Sequence, residues 1–164
     1  MTTAAEKAHF PTMATSSNLA PFNPTGAGAI AVALDLLRPS ETDVVFDIGC
    51  GDARLLVAVA TQCRCRCIGI ECDPGLAARA RTLAADHGVA DRVSIREEDA
   101  TASDLSEATV LFLYLVPKGI QLLLPRLEEA RARGVRICTN IFSIPTWTPK
   151  ATGEYKGTKI YLYS

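Results

Sequence analysis

The stretch Val44-Val45-Phe46-Asp47-Ile48-Gly49-Cys50-Gly51-Asp52-Ala53-Arg54, followed by Gly69-Ile70-Glu71-Cys72-Asp73, decides the fold. An apolar strand ends in an acid, two glycines follow, and a second apolar strand ends in another acid. Glycine is needed where the chain leaves the first strand, because a Cβ would block both a tight turn and the approach of a ligand to the backbone. Glu71 follows the glycines by about twenty residues, the spacing at which an acid grips the ribose hydroxyls of a bound nucleoside cofactor.

The charge of the turn separates two cofactor classes. In Gly-x-Gly-x-x-Gly the third glycine allows close helix–strand packing, and a pyrophosphate rests on the helix N-terminus. Here Arg54 takes that third place, and Asp47 and Asp52 flank the turn, where both would repel a pyrophosphate. S-adenosylmethionine carries a sulfonium and an ammonium, which nearby carboxylates attract. The methyl donor is therefore favoured over a nicotinamide cofactor, with S-adenosylhomocysteine as the product.

Outward from this stretch, short apolar runs alternate with helical pattern. Val44 to Ile48, Cys67 to Ile70, Val93 to Arg96, Val110 to Leu113 and Val135 to Cys138 read as strands of a parallel sheet. Gly28 to Leu37, Arg54 to Thr61, Pro74 to His87 and Lys118 to Arg133 read as helices, with Gly88 and Gly134 as stops. Lys159 to Tyr163 reads as a final strand, and an irregular strand is expected around Trp147 to Thr152. Together they predict an antiparallel C-terminal edge on a Rossmann-like, doubly wound α/β sheet, with ligands beyond the carboxyl ends of the parallel strands.

A chain of 164 residues makes one domain. Residues 1–20 are rich in Ala, Thr and Ser and read as a flexible leader; 21–164 form the domain. A net charge of −1 with 48% apolar residues gives no strong nucleic-acid signal. No apolar stretch approaches the roughly twenty residues of a membrane span. Cys63, Cys65 and Cys67 alternate with Arg64 and Arg66, which predicts thiols on one face of an extended segment and arginines on the other. The Cys-x-x-Cys spacing of zinc sites is absent, so no metal is expected, and the thiols suit a reducing compartment. The cytoplasm is the expected location, with the mitochondrion as the alternative.

With acids at three strand ends (Asp47, Glu71 and Asp99), the chain resembles the class I, seven-strand methyltransferases from about Pro21 to its end. The resemblance implies that the Asp47–Gly51 turn cradles the methionine part of the donor and that Asp99 approaches the adenine amino group. The donor-site residues are then Phe22, Pro24, Thr25, Asp47, Gly49, Gly51, Glu71, Cys72, Asp99, Ala100 and Tyr114.

Three segments remain to line the acceptor pocket: Pro21-Phe22-Asn23-Pro24-Thr25, Phe112-Leu113-Tyr114-Leu115-Val116-Pro117, and Phe142-Ser143-Ile144-Pro145-Thr146-Trp147-Thr148-Pro149. The fourth-strand exit lacks the Asn/Asp-Pro-Pro-aromatic element of nucleic-acid amino methyltransferases. The segments are similar to those of small protein-lysine methyltransferases, a group that includes archaeal enzymes and mitochondrial enzymes acting on the ATP synthase c subunit and the adenine nucleotide translocase. Two departures stand out: Ala53 occupies a position that is usually glycine, a small steric change, and the membrane anchor of the mitochondrial members has no counterpart here. The resemblance implies a protein substrate carrying a target lysine, with Tyr114 and Trp147 as catalytic acceptor-pocket residues. The alternatives are a small-molecule or RNA acceptor, or a non-catalytic donor-binding partner subunit.

Overall fold

In a computed structural model, described here for residues 22–164, the chain forms one seven-stranded sheet. Chain order is α1 (Ala27–Leu37), β1 (Val44–Ile48), α2 (Arg54–Cys63), β2 (Arg66–Ile70), α3 (Pro74–Asp86), β3 (Val93–Arg96), a short 3-10 turn (Ala100–Ala102), β4 (Val110–Leu113), α4 (Pro117–Ala132), β5 (Arg136–Asn140), β6 (Ala151–Tyr155) and β7 (Thr158–Tyr163). Strands run in the order β3-β2-β1-β4-β5-β7-β6. β1 to β5 pair in parallel, while β7 lies antiparallel to both β5 and β6. The order reverses at β1, between β2 and β4, and ligand sites form at such switch points.

Side-chain alternation divides the core into two layers. Val45, Cys67, Val110, Phe112 and Cys138 face a cluster shared with α1, α2 and α3. Phe46, Ile48, Ile68, Leu111, Leu113 and Ile137 face the other, shared with Ile120, Leu123 and Leu127 of α4. Burial on both faces explains why the parallel strands read as continuous apolar runs and not as alternating ones.

The C-terminal edge differs from expectation in two places. The strand expected at Trp147 to Thr152 begins only at Ala151 and runs to Tyr155. Lys156 and Gly157, with φ of 47° and 77°, then turn the chain tightly into β7, since positive φ at both central residues suits the twist of a two-residue hairpin. β5 continues two residues past the apolar run, through Thr139 and Asn140, because backbone pairing of Asn140 with Ile160 does not depend on side-chain polarity.

Arg64 and Arg66 are exposed and Cys65 and Cys67 buried, as alternation predicts, but Cys63 is the last residue of α2. Its sulfur lies 2.8 Å from that of Cys65, which lies 3.9 Å from that of Cys67.

Ala53 needs a correction. It precedes α2 with φ 64° and ψ 23°, fully buried. The left-handed conformation costs an L-residue about 1–2 kcal/mol, so glycine at this position is a backbone requirement more than a matter of side-chain size.

Candidate active site

The turn after β1 is tied to β2 by its own backbone and by one carboxylate. Gly49 and Gly51 have φ of 73° and 58°, which glycine adopts without strain. The N–H groups of Gly49 and Cys50 both donate to the carbonyl of Ile70, at 2.8 and 3.0 Å. Glu71 completes the junction: Oε1 accepts from the Gly51 N–H and Oε2 from the Asp73 N–H, each at 2.9 Å. Each carboxylate oxygen keeps capacity for a second donor. Asp73 in turn caps α3 by accepting from the Leu76 N–H at 2.9 Å.

Gly51 serves packing as well as conformation. A Cβ there would fall 2.6 Å from Cε2 of Phe22, whose ring covers the glycine and lies 5.5 Å from the Arg79 guanidinium carbon. Gly69 in the same way admits Cys50, since a Cβ there would stand 2.6 Å from its sulfur.

The acids of the turn carry unequal counter-charge. Asp52 receives both a 3.1 Å bond from Arg54 Nε and a 2.7 Å bond from Arg54 Nη2, which hold its carboxyl below the usual range. Asp47 is 5% exposed, and burial, then the charges of Glu71 and Asp52, push it up to about 8. Among the described residues, the ion pairs include neither Asp47 nor Glu71. Two enclosed acids without a cation fit a ligand that brings positive charge. S-adenosylmethionine, which carries an ammonium and a sulfonium, meets that condition.

The cleft around these acids encloses about 170 Å³ and opens to solvent at its mouth. At the mouth, the Tyr114 hydroxyl accepts a 2.8 Å hydrogen bond from Asn23 Nδ2, closing the segment before α1 onto the exit of β4. Leu115 and Thr25 complete this side.

Phe22, Pro24, Thr25, Asp47, Gly49, Gly51, Glu71, Cys72, Ala100 and Tyr114 all line the cleft. Asp99 is not among the lining residues: its Oδ1 accepts from the Thr101 N–H at 2.9 Å and hydroxyl at 2.8 Å, capping the 3-10 turn, while Glu98 lines the cleft instead. Trp147 is also outside the lining. Its ring meets Tyr163 edge-on at 5.7 Å between centroids, with the Arg131 guanidinium carbon 4.4 Å above it. Sequence reasoning gave no separate role to Asn23, although it stands inside the quoted approach segment, and it missed Glu98 as a lining residue one position from the expected acid.

The family model described as the ANTKMT methyltransferase domain matches residues 47–151, which contain both glycines, Glu71 and Tyr114. A protein-lysine N-methyltransferase of Saccharolobus islandicus is 30% identical over 149 residues, covering 87% of this chain and 92% of that protein. The adenine nucleotide translocase lysine N-methyltransferase of Mus musculus is 30% identical over 144 residues, and the alignment covers 87% of this chain but 62% of the mouse protein. Among solved structures, one described as an RNA methyltransferase from Salinibacter ruber in complex with S-adenosyl-L-homocysteine is 37% identical, with a TM-score of 0.82 over 86% of this chain and 92% of that one. The match spans more than half of the chain, and the chain belongs to the ANTKMT methyltransferase domain family.

Proposed function

We propose that this protein moves a methyl group from S-adenosylmethionine to the side-chain amine of a lysine in a protein substrate. The observation that carries the reading is the juxtaposition of two cation-free acids, Asp47 and Glu71, with a mouth built from Tyr114, Leu115 and Phe22. The acids suit a cationic donor. The Phe22 ring and Leu115 at the mouth desolvate and so disfavour an ammonium, which lowers the pKa of an entering lysine. The free amine nitrogen attacks the methyl carbon as the carbon–sulfur bond breaks. The electron pair of that bond stays on sulfur, and the methylated nitrogen releases its extra proton to solvent. Alignment of nitrogen, carbon and sulfur supplies most of the acceleration, so no dedicated base is required. The lysine N-methyltransferases of Saccharolobus islandicus and Mus musculus support a lysine acceptor.

The description of the Salinibacter ruber structure favours a second reading, an RNA acceptor. Incubating the protein with radiolabelled donor and a heat-treated cell lysate separates the two. Label should be released by protease and recovered as methyl-lysine after hydrolysis. Label released only by ribonuclease would replace the lysine reading with the RNA one.

A further inference from the structure

Three of the chain's six cysteines, Cys63, Cys65 and Cys67, stand in a row where α2 ends and β2 begins. The Cys63 thiol donates to the Cys65 sulfur at 2.8 Å, and the Cys65 and Cys67 sulfurs are 3.9 Å apart. None of the three lines the cleft, which is built at the opposite ends of the same two elements, from the turn before Arg54 and from Ile70 to Asp73.

Arg64 brings the first two sulfurs together. It follows the last residue of α2 with φ 58° and ψ 24°, a left-handed conformation that ends many helices but is usually given to glycine. Arginine in that conformation costs about 1–2 kcal/mol. The reversal sets the half-buried Cys63 beside Cys65, which is fully buried. A disulfide holds its sulfurs about 2.05 Å apart, so less than about 1 Å of closure separates this pair from a bond. Cys67 is placed differently. It lies two residues beyond Cys65 as the chain enters β2, and at about 3.3 Å per residue the two Cα atoms stand roughly 6.6 Å apart, at the far edge of what a disulfide spans.

We propose that Cys63 and Cys65 form a redox-active dithiol that a hydroperoxide converts to an intramolecular disulfide and a small dithiol reductant restores. The half-buried Cys63 meets the oxidant. Its sulfur attacks one peroxide oxygen, the O–O bond breaks, the thiol proton passes to the departing oxygen, and a sulfenic acid remains as an alcohol, or water in the case of hydrogen peroxide, leaves. The Cys65 sulfur then attacks the Cys63 sulfur. The S–S bond forms as the S–O bond breaks, and the hydroxyl leaves as water with the Cys65 proton. The two sulfurs together lose two electrons, and the peroxide gains them. Burial, and then the contact with Cys65, pushes the Cys63 thiol up to about 11. Thiolate is therefore scarce near neutral pH, and the pair answers to sustained oxidant and not to a brief pulse.

The test uses the full chain, reduced and then held in hydrogen peroxide for hours, with samples denatured, alkylated and read by mass spectrometry at intervals. The wild-type chain should lose the mass of two hydrogens, with Cys63 and Cys65 closed to alkylation and reopened by dithiothreitol. Cys67→Ala should form the same disulfide, and Cys63→Ser, which changes a half-buried position, should form none. Cys63 and Cys65 that still alkylate after prolonged oxidant overturn the proposal. Oxygen added to Cys63 with no loss of hydrogens does so too, because the sulfenic acid then finds no partner. A disulfide that joins two chains through the exposed Cys72, or one that disappears in Cys67→Ala while Tm is kept, assigns the bond elsewhere and also overturns it.

Discussion

Asn23 and Tyr114, 91 residues apart in sequence, are joined by a 2.8 Å hydrogen bond from the amide Nδ2 to the phenol oxygen. The bond ties the segment before α1 to the exit of β4, and both residues line the cleft. Because the phenol accepts this bond, its own O–H remains available to a third group.

Tyr114→Phe keeps the ring and removes the oxygen. The rate of methyl transfer should fall while donor affinity stays within about threefold, or about 0.65 kcal/mol, as measured by single-turnover transfer and calorimetry. Trp147→Ala should behave differently, since its ring packs on Tyr163 and beneath Arg131: the main effect should be on stability, about 2 kcal/mol for a half-buried ring. A specific loss of rate in Trp147→Ala with unchanged Tm would return that residue to the acceptor pocket.

Glu71 combines two tasks. Its oxygens hold the N–H groups of Gly51 and Asp73, and the residue also lines the cleft, where a ribose would meet it. Hydrogen bonds to charged groups are worth roughly 1.5–3 kcal/mol each. Glu71→Ala should therefore weaken donor binding at least tenfold and also lower the Tm of the unliganded protein. Unchanged affinity in calorimetry would show that the ribose is held elsewhere.

The carboxyl of Asp47, pushed up to about 8, should make donor binding depend on pH. The folded protein keeps a proton that the unfolded chain releases near pH 4, so this group's contribution to stability falls as pH rises from about 4 to 8. A cationic donor stabilises the carboxylate, so binding between pH 6 and 7.5 should release a proton and strengthen with pH, by at most about tenfold per unit. Calorimetry in buffers of different ionisation enthalpy measures that proton directly. In Asp47→Asn the proton release should vanish and the unliganded protein should gain stability at pH 7.5. A wild-type protein that binds the donor with no proton exchange would refute the linkage.

Asp43 responds in the opposite sense at low pH. Burial raises its carboxyl, but hydrogen bonds from Arg136, Ser40 and Thr109 outweigh burial and bring it down to about 2. Its stabilisation is complete above about pH 4 and is lost as pH falls through 2, a contribution of about 2 kcal/mol at about 1.4 kcal/mol per pKa unit. Chemical denaturation at pH 7 should show Asp43→Asn less stable by about that amount, and the difference should close by pH 2. A gap that persists at pH 2 would mean that shape, not charge, sets the cost.

Much of the fold was legible because it rests on local chemistry. Asp47-Ile48-Gly49-Cys50-Gly51 needs glycines whose φ values are positive wherever such a turn occurs, and the apolar runs on either side are what strands buried on both faces require. The edge was less legible. Thr139 and Asn140 are polar yet lie in β5, because pairing with β7 is a backbone interaction that hydropathy does not register.

By itself the sequence determined the doubly wound sheet, the glycine turn and the acids at the strand ends, since each follows from periodicity, φ requirements and charge within a few residues. Only the tertiary structure decided how distant side chains share partners. It turned Asp99 to its own turn and brought Glu98 to the cleft, packed Trp147 against Tyr163, and joined Asn23 to Tyr114. Among the described residues it also left the buried amide oxygen of Asn140 without a donor. Those outcomes depend on which strand ends and helices meet across the sheet, and a one-residue change in where a side chain points moves it from the cleft to the core or to a cap.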